Sequence, residues 1–150
     1  KTQLKKSPLF DTDINWKEPK PPKYAADKAA RQQLAGVLGE IKTFFAGVNQ
    51  SKRNQGRLKA VNFNVNVITG GGNFAIVVRG GAVKLAEKTF ARPTTSLAVK
   101  NPSYFSEWTK GKALTNLFAL GDLWLSNRVG IRVLEDLDRL WRAAYRDGTL

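Results

Sequence analysis

Residues 61 to 67, VNFNVNV, alternate strictly between apolar side chains and asparagines. A period of two predicts a β-strand whose two rows of side chains lie on opposite faces of a sheet. Asparagine is otherwise depleted in strands, because its amide competes for backbone hydrogen bonds. We therefore expect a sheet with one apolar face, covered by helices, and one wet face marked by Asn62, Asn64 and Asn66.

The same alternation continues in four later segments. Residues 73 to 79 and 83 to 87 alternate on either side of Gly80-Gly81, a two-residue connection typical of tight hairpin turns, which predicts an antiparallel meander. TTSLAVK at 94 to 100 predicts a fourth strand, and DLWLS at 122 to 126 a short fifth one. Trp124 then lies on the outer face, where we expect it to contact a partner subunit, a membrane or the N-terminal leader.

Apolar residues at steps of three and four predict amphipathic helices before and after these strands. One runs from residue 24 to about 48, and two short helices are expected at 103 to 112 and 113 to 120. The last helix covers 131 to 145, with Ile131, Leu134, Leu137, Trp141 and Tyr145 on its apolar face. NQSKRNQGR at 49 to 57 is interpreted as a basic loop. This order of elements predicts an α+β domain, a five-stranded and mostly antiparallel sheet with helices packed on one face.

Size and composition limit the number of domains and the class of function. A chain of 150 residues with 42% hydrophobic content is typical of a single domain, which we place at residues 24 to 150. Residues 1 to 23, which include KEPKPPK, are expected to be a basic Pro/Lys-rich leader or linker. Because the sequence begins with Lys1 and contains no methionine, it is compatible with a fragment or a processed chain.

Several kinds of chemistry are excluded by residues that the sequence lacks. Without cysteine or histidine there are no disulfides, ordinary zinc sites or nucleophile–histidine pairs. No apolar run approaches the roughly 18 residues of a membrane span, and the first residues lack the apolar core of a signal peptide. We therefore expect a soluble, cytoplasmic protein.

Two other patterns favour a structural interpretation over a catalytic one. GGG at 70 to 72 leads into another strand, whereas a phosphate-binding loop leads into a helix. Glu135, Asp136 and Asp138 lie beside Arg132 and Arg139 on the polar face of the last helix, which favours surface ion pairs. No acid–base pair is marked by spacing, so we do not expect an enzyme, although a site assembled across distant elements stays open.

Three segments carry a family resemblance. The first is TTSLAVKNPSYF at 94 to 105, an alternating strand that leads into a helix with an aromatic residue. The second is Gly111-Lys112 after that helix, and the third is GDLWLSNRVG at 121 to 130, a glycine-led strand, a turn and a glycine that opens the last helix. In this order of elements, residues 34 to 141 resemble the sterol carrier protein type 2 family, the small lipid-binding domain found alone and fused to enzymes.

Two positions depart from the family pattern. The family usually has a small or basic residue where this chain has Asp122, and a glycine where it has Asn127. Asparagine tolerates a left-handed backbone better than most residues, so we expect the turn to persist.

The resemblance implies a hydrophobic tunnel between sheet and helices that binds fatty acyl chains, sterols or similar lipids, without a cofactor. Apolar burial yields roughly 25 cal/mol per Å², so an alkyl chain needs no catalytic group to bind. Large apolar residues are also the ordinary content of a core, and for each aromatic that interpretation stays open. The residues expected to line the tunnel are Ile76, Val78, Leu97, Val99, Phe105, Trp108, Thr115, Phe118, Leu134, Leu137 and Trp141.

The net charge is +13, and residues 121 to 150 contribute none of it, because they carry five basic and five acidic side chains. The basic segment at 51 to 59 provides Lys52, Arg53, Arg57 and Lys59, which are expected to dock on an anionic membrane or an acidic partner. It lacks the aromatic residues that accompany basic ones in nucleic-acid sites, which makes nucleic acid a less favoured partner. A basic nucleic-acid or acidic-partner module with a fully packed core remains the alternative.

Overall fold

In the computed structural model, residues 20–25 and 27–150 are described, and they form five helices around a five-stranded sheet. The elements are α1 Lys28–Gln50, α2 Lys52–Leu58, β1 Phe63–Thr69, β2 Gly72–Arg79, β3 Ala82–Ala86, β4 Thr95–Val99, α3 Ser103–Trp108, α4 Leu114–Ala119, β5 Trp124–Leu125 and α5 Val129–Arg146. The strand order is β3-β2-β1-β4-β5. β1 pairs in parallel with β4, and the other three pairs are antiparallel. The predicted α+β architecture is confirmed; most of the expected leader lies outside the described residues.

The core lies between the apolar face of the sheet and the helices. β1 contributes Phe63, Val65 and Val67 to it, and α1 contributes one buried stripe. α1 begins at Asp27, whose side chain accepts hydrogen bonds from the amides of Ala29 and Ala30 and so satisfies two of the free N–H groups of the first turn. The buried stripe of α1 consists of Ala30, Leu34, Val37, Ile41, Phe44, Phe45 and Val48.

The asparagine face of β1 is covered, and the expectation that it is wet is wrong for Asn64 and Asn66. The Asn66 side chain donates to the carbonyl oxygen of Phe90 and accepts from its amide, both at 2.8 Å. The Asn64 Oδ1 accepts from the Thr94 amide at 2.9 Å. Since β4 pairs in parallel with β1, the chain must cross the sheet after β3. The asparagines hold this crossing segment, residues 87 to 94, and of the three only Asn62 is exposed.

Replacing Asn66 by alanine should lower the free energy of unfolding by about 1–2 kcal/mol, because two hydrogen bonds to Phe90 are lost. Urea unfolding followed by circular dichroism measures this difference. The matched control is Asn62→Ala, one residue before β1, whose exposed side chain predicts a change within about 0.5 kcal/mol. Equal effects of the two substitutions would contradict a holding role for Asn66.

Residues 52 to 58 form the helix α2, and the interpretation of 49 to 57 as a loop is wrong. The Ser51 hydroxyl accepts from the Asn54 amide at 3.2 Å, which caps the helix. Asn54 is fully buried, and its Nδ2 donates to the carbonyl oxygen of Leu140 at 2.9 Å. Asn54 can therefore lie on the buried face of a helix, because α5 provides an acceptor for its side-chain hydrogen bond. The local sequence does not show this acceptor.

Asp147, at the end of α5, binds the start of α2. It accepts from the Ser51 hydroxyl at 2.7 Å, from the Arg53 amide at 3.1 Å and from the Arg53 Nε at 2.7 Å. The hydrogen bond from Ser51, followed by the one from the Arg53 amide, lowers the pKa of Asp147 to about 2. The carboxylate is therefore ionised near neutral pH and holds the Arg53 guanidinium.

Asp138 is not part of a surface ion pair. Its carboxylate accepts from the Leu114 amide at 2.7 Å, from the Thr115 amide at 3.1 Å and from the Thr115 hydroxyl at 2.9 Å, so it caps α4 from α5. Burial raises the pKa of Asp138, and these hydrogen bonds oppose the shift. Asp136 does pair with Arg139, at 3.5 Å, as expected.

Candidate ligand-binding site

Most of the residues predicted to line a tunnel are buried together in the single core between sheet and helices. Those that are at most 1% exposed are Ile76, Val78, Leu97, Val99, Phe105, Trp108, Leu134 and Leu137. Thr115, Phe118 and Trp141 are half-buried at its margin. The fold therefore brings the predicted set into one region, and Trp141 connects that region to the surface.

An aromatic cluster occupies the middle of this region. The Trp108 indole packs edge to face against Phe44, with ring centroids 5.1 Å apart, and against Phe45 and Phe105 at 6.0 and 6.2 Å. Phe105 in turn packs against Phe74 of β2 at 5.6 Å. This cluster connects the sheet to α1, since Phe44 and Phe45 belong to the long helix.

A surface groove of about 920 Å³ lies between α1 and α5, above this cluster. We name it the α1–α5 groove. Phe44, which is 3% exposed, lines it and also contacts Trp108, so the groove ends on the aromatic cluster. The lining residues are Gly36, Gly39, Glu40, Thr43, Phe44, Gly47, Gln50, Thr109, Lys110, Trp141, Tyr145, Thr149 and Leu150.

Glycines of α1 leave the groove open. A Cβ added at Gly36 or Gly39 would meet nothing within 4 Å, so no close packing requires a glycine at either position. A glycine in a helix interior costs about 0.8–1.0 kcal/mol relative to alanine, so both reduce the stability of the helix. Gly47 differs, because a Cβ there would lie 2.5 Å from the backbone oxygen of Thr149.

The opposite wall consists of two stacked aromatic rings of α5. Trp141 and Tyr145 lie parallel, with centroids 4.8 Å apart and planes at 9°, and Tyr145 is 63% exposed. Trp141 also lies against the backbone of Gly111, whose φ of +106° and close contact with the indole both favour glycine. The Gly111-Lys112 motif thus supports one wall of the groove.

The buried face of α5 differs from the predicted stripe. The sequence pattern placed Ile131, Trp141 and Tyr145 on the same apolar face as Leu134 and Leu137. The residues buried in the structure are Gly130, Val133, Leu134, Leu137, Leu140, Ala143 and Ala144. Trp141 and Tyr145 are consequently turned toward the groove. The small residues Ala143 and Ala144 carry little hydrophobic signal, so the sequence pattern did not mark them as buried.

The charged groups at the groove form a pair. Lys110, which follows α3, has its Nζ 3.9 Å from the Oε2 of Glu40 on α1.

Of the residues predicted to dock on an anionic surface, Lys52, Arg57 and Lys59 are exposed, and Arg53 is held by Asp147. No helix in the described part of the chain has the length and apolar content needed to cross a membrane.

No protein-family model matches the sequence, and no curated protein matches it significantly. Solved structures do match. The UbiJ-SCP2 ubiquinone synthesis protein is 15% identical, with a TM-score of 0.50 over 75% of this chain and 96% of that chain. The apo form of sterol carrier protein 2 from Yarrowia lipolytica is 12% identical, with a TM-score of 0.47 over 74% of this chain and 88% of that one.

A possible sterol carrier protein from Thermus thermophilus is 11% identical, with a TM-score of 0.46 over 71% of this chain and 86% of that one. At these identities the comparisons concern the fold. The five-stranded, mostly antiparallel sheet and its helical layer agree with the predicted architecture. The chain therefore has a sterol carrier protein-like fold.

Proposed function

We propose that this chain binds an apolar lipid without catalysing a reaction on it, through the α1–α5 groove and the core beneath. The observation that carries the proposal is the groove itself. Phe44 lines the groove and also belongs to the aromatic cluster of the core. Its volume of about 920 Å³ lies within the usual range of about 300–1,000 Å³ for small-molecule sites.

In this proposal the groove is the entrance, and the predicted tunnel residues receive the ligand. Trp108 lies directly behind Phe44 and Phe105 packs against Trp108, while Leu134 and Leu137 of α5 belong to the same core. An alkyl chain that displaces Phe44 would exchange water for apolar side chains, which yields roughly 25 cal/mol per Å² buried. Hydrophobic transfer is then the main source of affinity, and charge pairing adds little.

Displacement of a fluorescent fatty-chain probe tests the proposal. We expect saturable binding of apolar chains in the micromolar range, with little change between low and high salt, because an apolar contact is not screened. Nucleic-acid binding would instead weaken steeply with salt. Absence of saturable uptake for acyl, sterol and quinone ligands would contradict the proposal.

The role we propose is that of an accessory module that presents its ligand to an enzyme. UbiJ-SCP2, which has the same fold, is described as a ubiquinone synthesis protein, so a domain of this fold can serve the synthesis of an apolar quinone. The groove here is open to solvent along its length, which favours exchange of a ligand over permanent burial.

We further propose that Lys52, Arg57 and Lys59 dock the domain on an anionic membrane surface. Each exposed basic residue near such a surface contributes about 1 kcal/mol. Replacing all three by glutamine, which removes about 3 kcal/mol of attraction, should therefore reduce binding to phosphatidylserine vesicles by about 100-fold, measured by co-sedimentation. Arg53→Gln should have a smaller effect than any one of these substitutions, since Asp147 already neutralises that guanidinium. Unchanged vesicle binding of the triple variant would contradict the docking role.

A further inference from the structure

The Trp108 indole N–H has no hydrogen-bond acceptor among the described residues. The side chain is 1% exposed, and its Nε1 is buried without a partner. Buried indole N–H groups normally find an acceptor, because leaving one unpaired costs free energy. An unpaired donor in the core of a candidate binding site therefore indicates an acceptor that arrives from outside.

The surroundings of Trp108 are aromatic. Phe44, Phe45 and Phe105 pack around it at interplanar angles of 74° to 83°. A ring face is a weak acceptor compared with a carbonyl oxygen. Phe44 lies between the indole and the α1–α5 groove, and the next two residues after Trp108, Thr109 and Lys110, line the groove. Rotation of the Phe44 ring would thus bring the indole into contact with a molecule in the groove.

We propose that the ligand is an apolar chain carrying a neutral hydrogen-bond acceptor, a ketone, quinone or ester carbonyl, to which Trp108 Nε1 donates. This inference rests on the proposed function and specifies its ligand class. A carboxylate fits less well, because burying it requires a cationic partner. Lys110, the cationic side chain lining the groove among the described residues, lies 3.9 Å from Glu40 and is already paired.

Two ligands of equal length, 2-tridecanone and tridecane, separate the carbonyl from the chain. Their affinities are measured by displacement of a fluorescent fatty-chain probe from the full chain and from Trp108→Phe, which keeps an aromatic ring but lacks the N–H. We expect the substitution to weaken ketone binding about five- to tenfold, the contribution of one hydrogen bond, and to leave alkane binding within about twofold.

Trp124→Phe is the matched control. Trp124 Nε1 is also buried without a partner among the described residues, but the residue pairs with Ala98 and lies on the sheet face opposite to Leu125 and the core. This variant should change neither affinity. Equal losses for ketone and alkane in Trp108→Phe, or a ketone loss of the same size in Trp124→Phe, would overturn the inference while leaving lipid binding intact.

A measurement on the unmodified protein does not depend on the variant folding. In ¹⁵N-labelled protein, the Trp108 indole N–H resonance should move downfield when 2-tridecanone is added and should not do so with tridecane. Binding of both ligands without this difference would overturn the inference alone. Binding of neither would overturn the proposed function as well.

Discussion

Replacing Gly39 by leucine should weaken ligand binding about tenfold or more while making the protein more stable. Gly39 lines the α1–α5 groove, and a Cβ there meets nothing within 4 Å, so the new side chain fits without strain and occupies ligand space. Leucine is also a strong helix former, which should raise the free energy of unfolding by about 0.5–1 kcal/mol. Probe displacement measures the first effect and thermal unfolding the second.

Gly56→Leu is the control for this experiment. Gly56 lies within α2, a Cβ there also meets nothing within 4 Å, and the residue does not line the groove. It should therefore raise stability by a similar amount and leave the affinity for the probe unchanged. Loss of binding in both variants, or full binding by Gly39→Leu, would show that the groove is not the entrance.

Replacing Gly71 by alanine should destabilise the protein by about 3 kcal/mol, the upper end of the usual cost of overpacking. A Cβ at Gly71 would clash with the backbone oxygen of Ala30 and would lie 2.6 Å from its carbonyl carbon. These atoms belong to the first turn of α1, so the helix must shift away from the β1–β2 turn. At about 2–4 °C per kcal/mol, the melting temperature should fall by about 6–12 °C.

The same substitution at Gly56 should have the opposite sign. Gly56→Ala fills empty space in a helix and should raise the free energy of unfolding by up to about 1 kcal/mol. A general preference for alanine over glycine cannot produce both results. If Gly71→Ala unfolds with unchanged stability, the contact between the β1–β2 turn and α1 is not required by the fold.

Local patterns were sufficient for most of the fold. Alternation in 61 to 67 and in 73 to 79 marks β1 and β2, and Gly80-Gly81 marks the turn before β3, because side-chain period and turn chemistry depend on neighbouring residues alone. The three family-like motifs indicated the sterol carrier protein-like fold, and they lie at β4, at the end of α3 and at β5. GGG at 70 to 72 belongs to the predicted hairpin.

The candidate site was predicted less completely. Phe105, Trp108, Leu134 and Leu137 were expected near a ligand on the strength of the family resemblance, and they lie in the core below the groove. The α1 side of the groove was missed. The available signal was the set of glycines within a helical pattern, Gly36, Gly39 and Gly47, which reduce helix propensity without an evident local reason.

By itself, the sequence determined the strands, the long helices and the apolar face of the sheet, because these depend on periodicity within one segment. Only the tertiary structure decided the role of the polar residues. Asn66 holds the crossing segment, Asn54 binds α5 and Asp138 caps α4, all through partners at least 23 residues away in the chain. The sequence does not show whether the hydrogen-bond partner of a polar side chain is water or another part of the protein. Packing decides this, because it excludes water from the buried side chains.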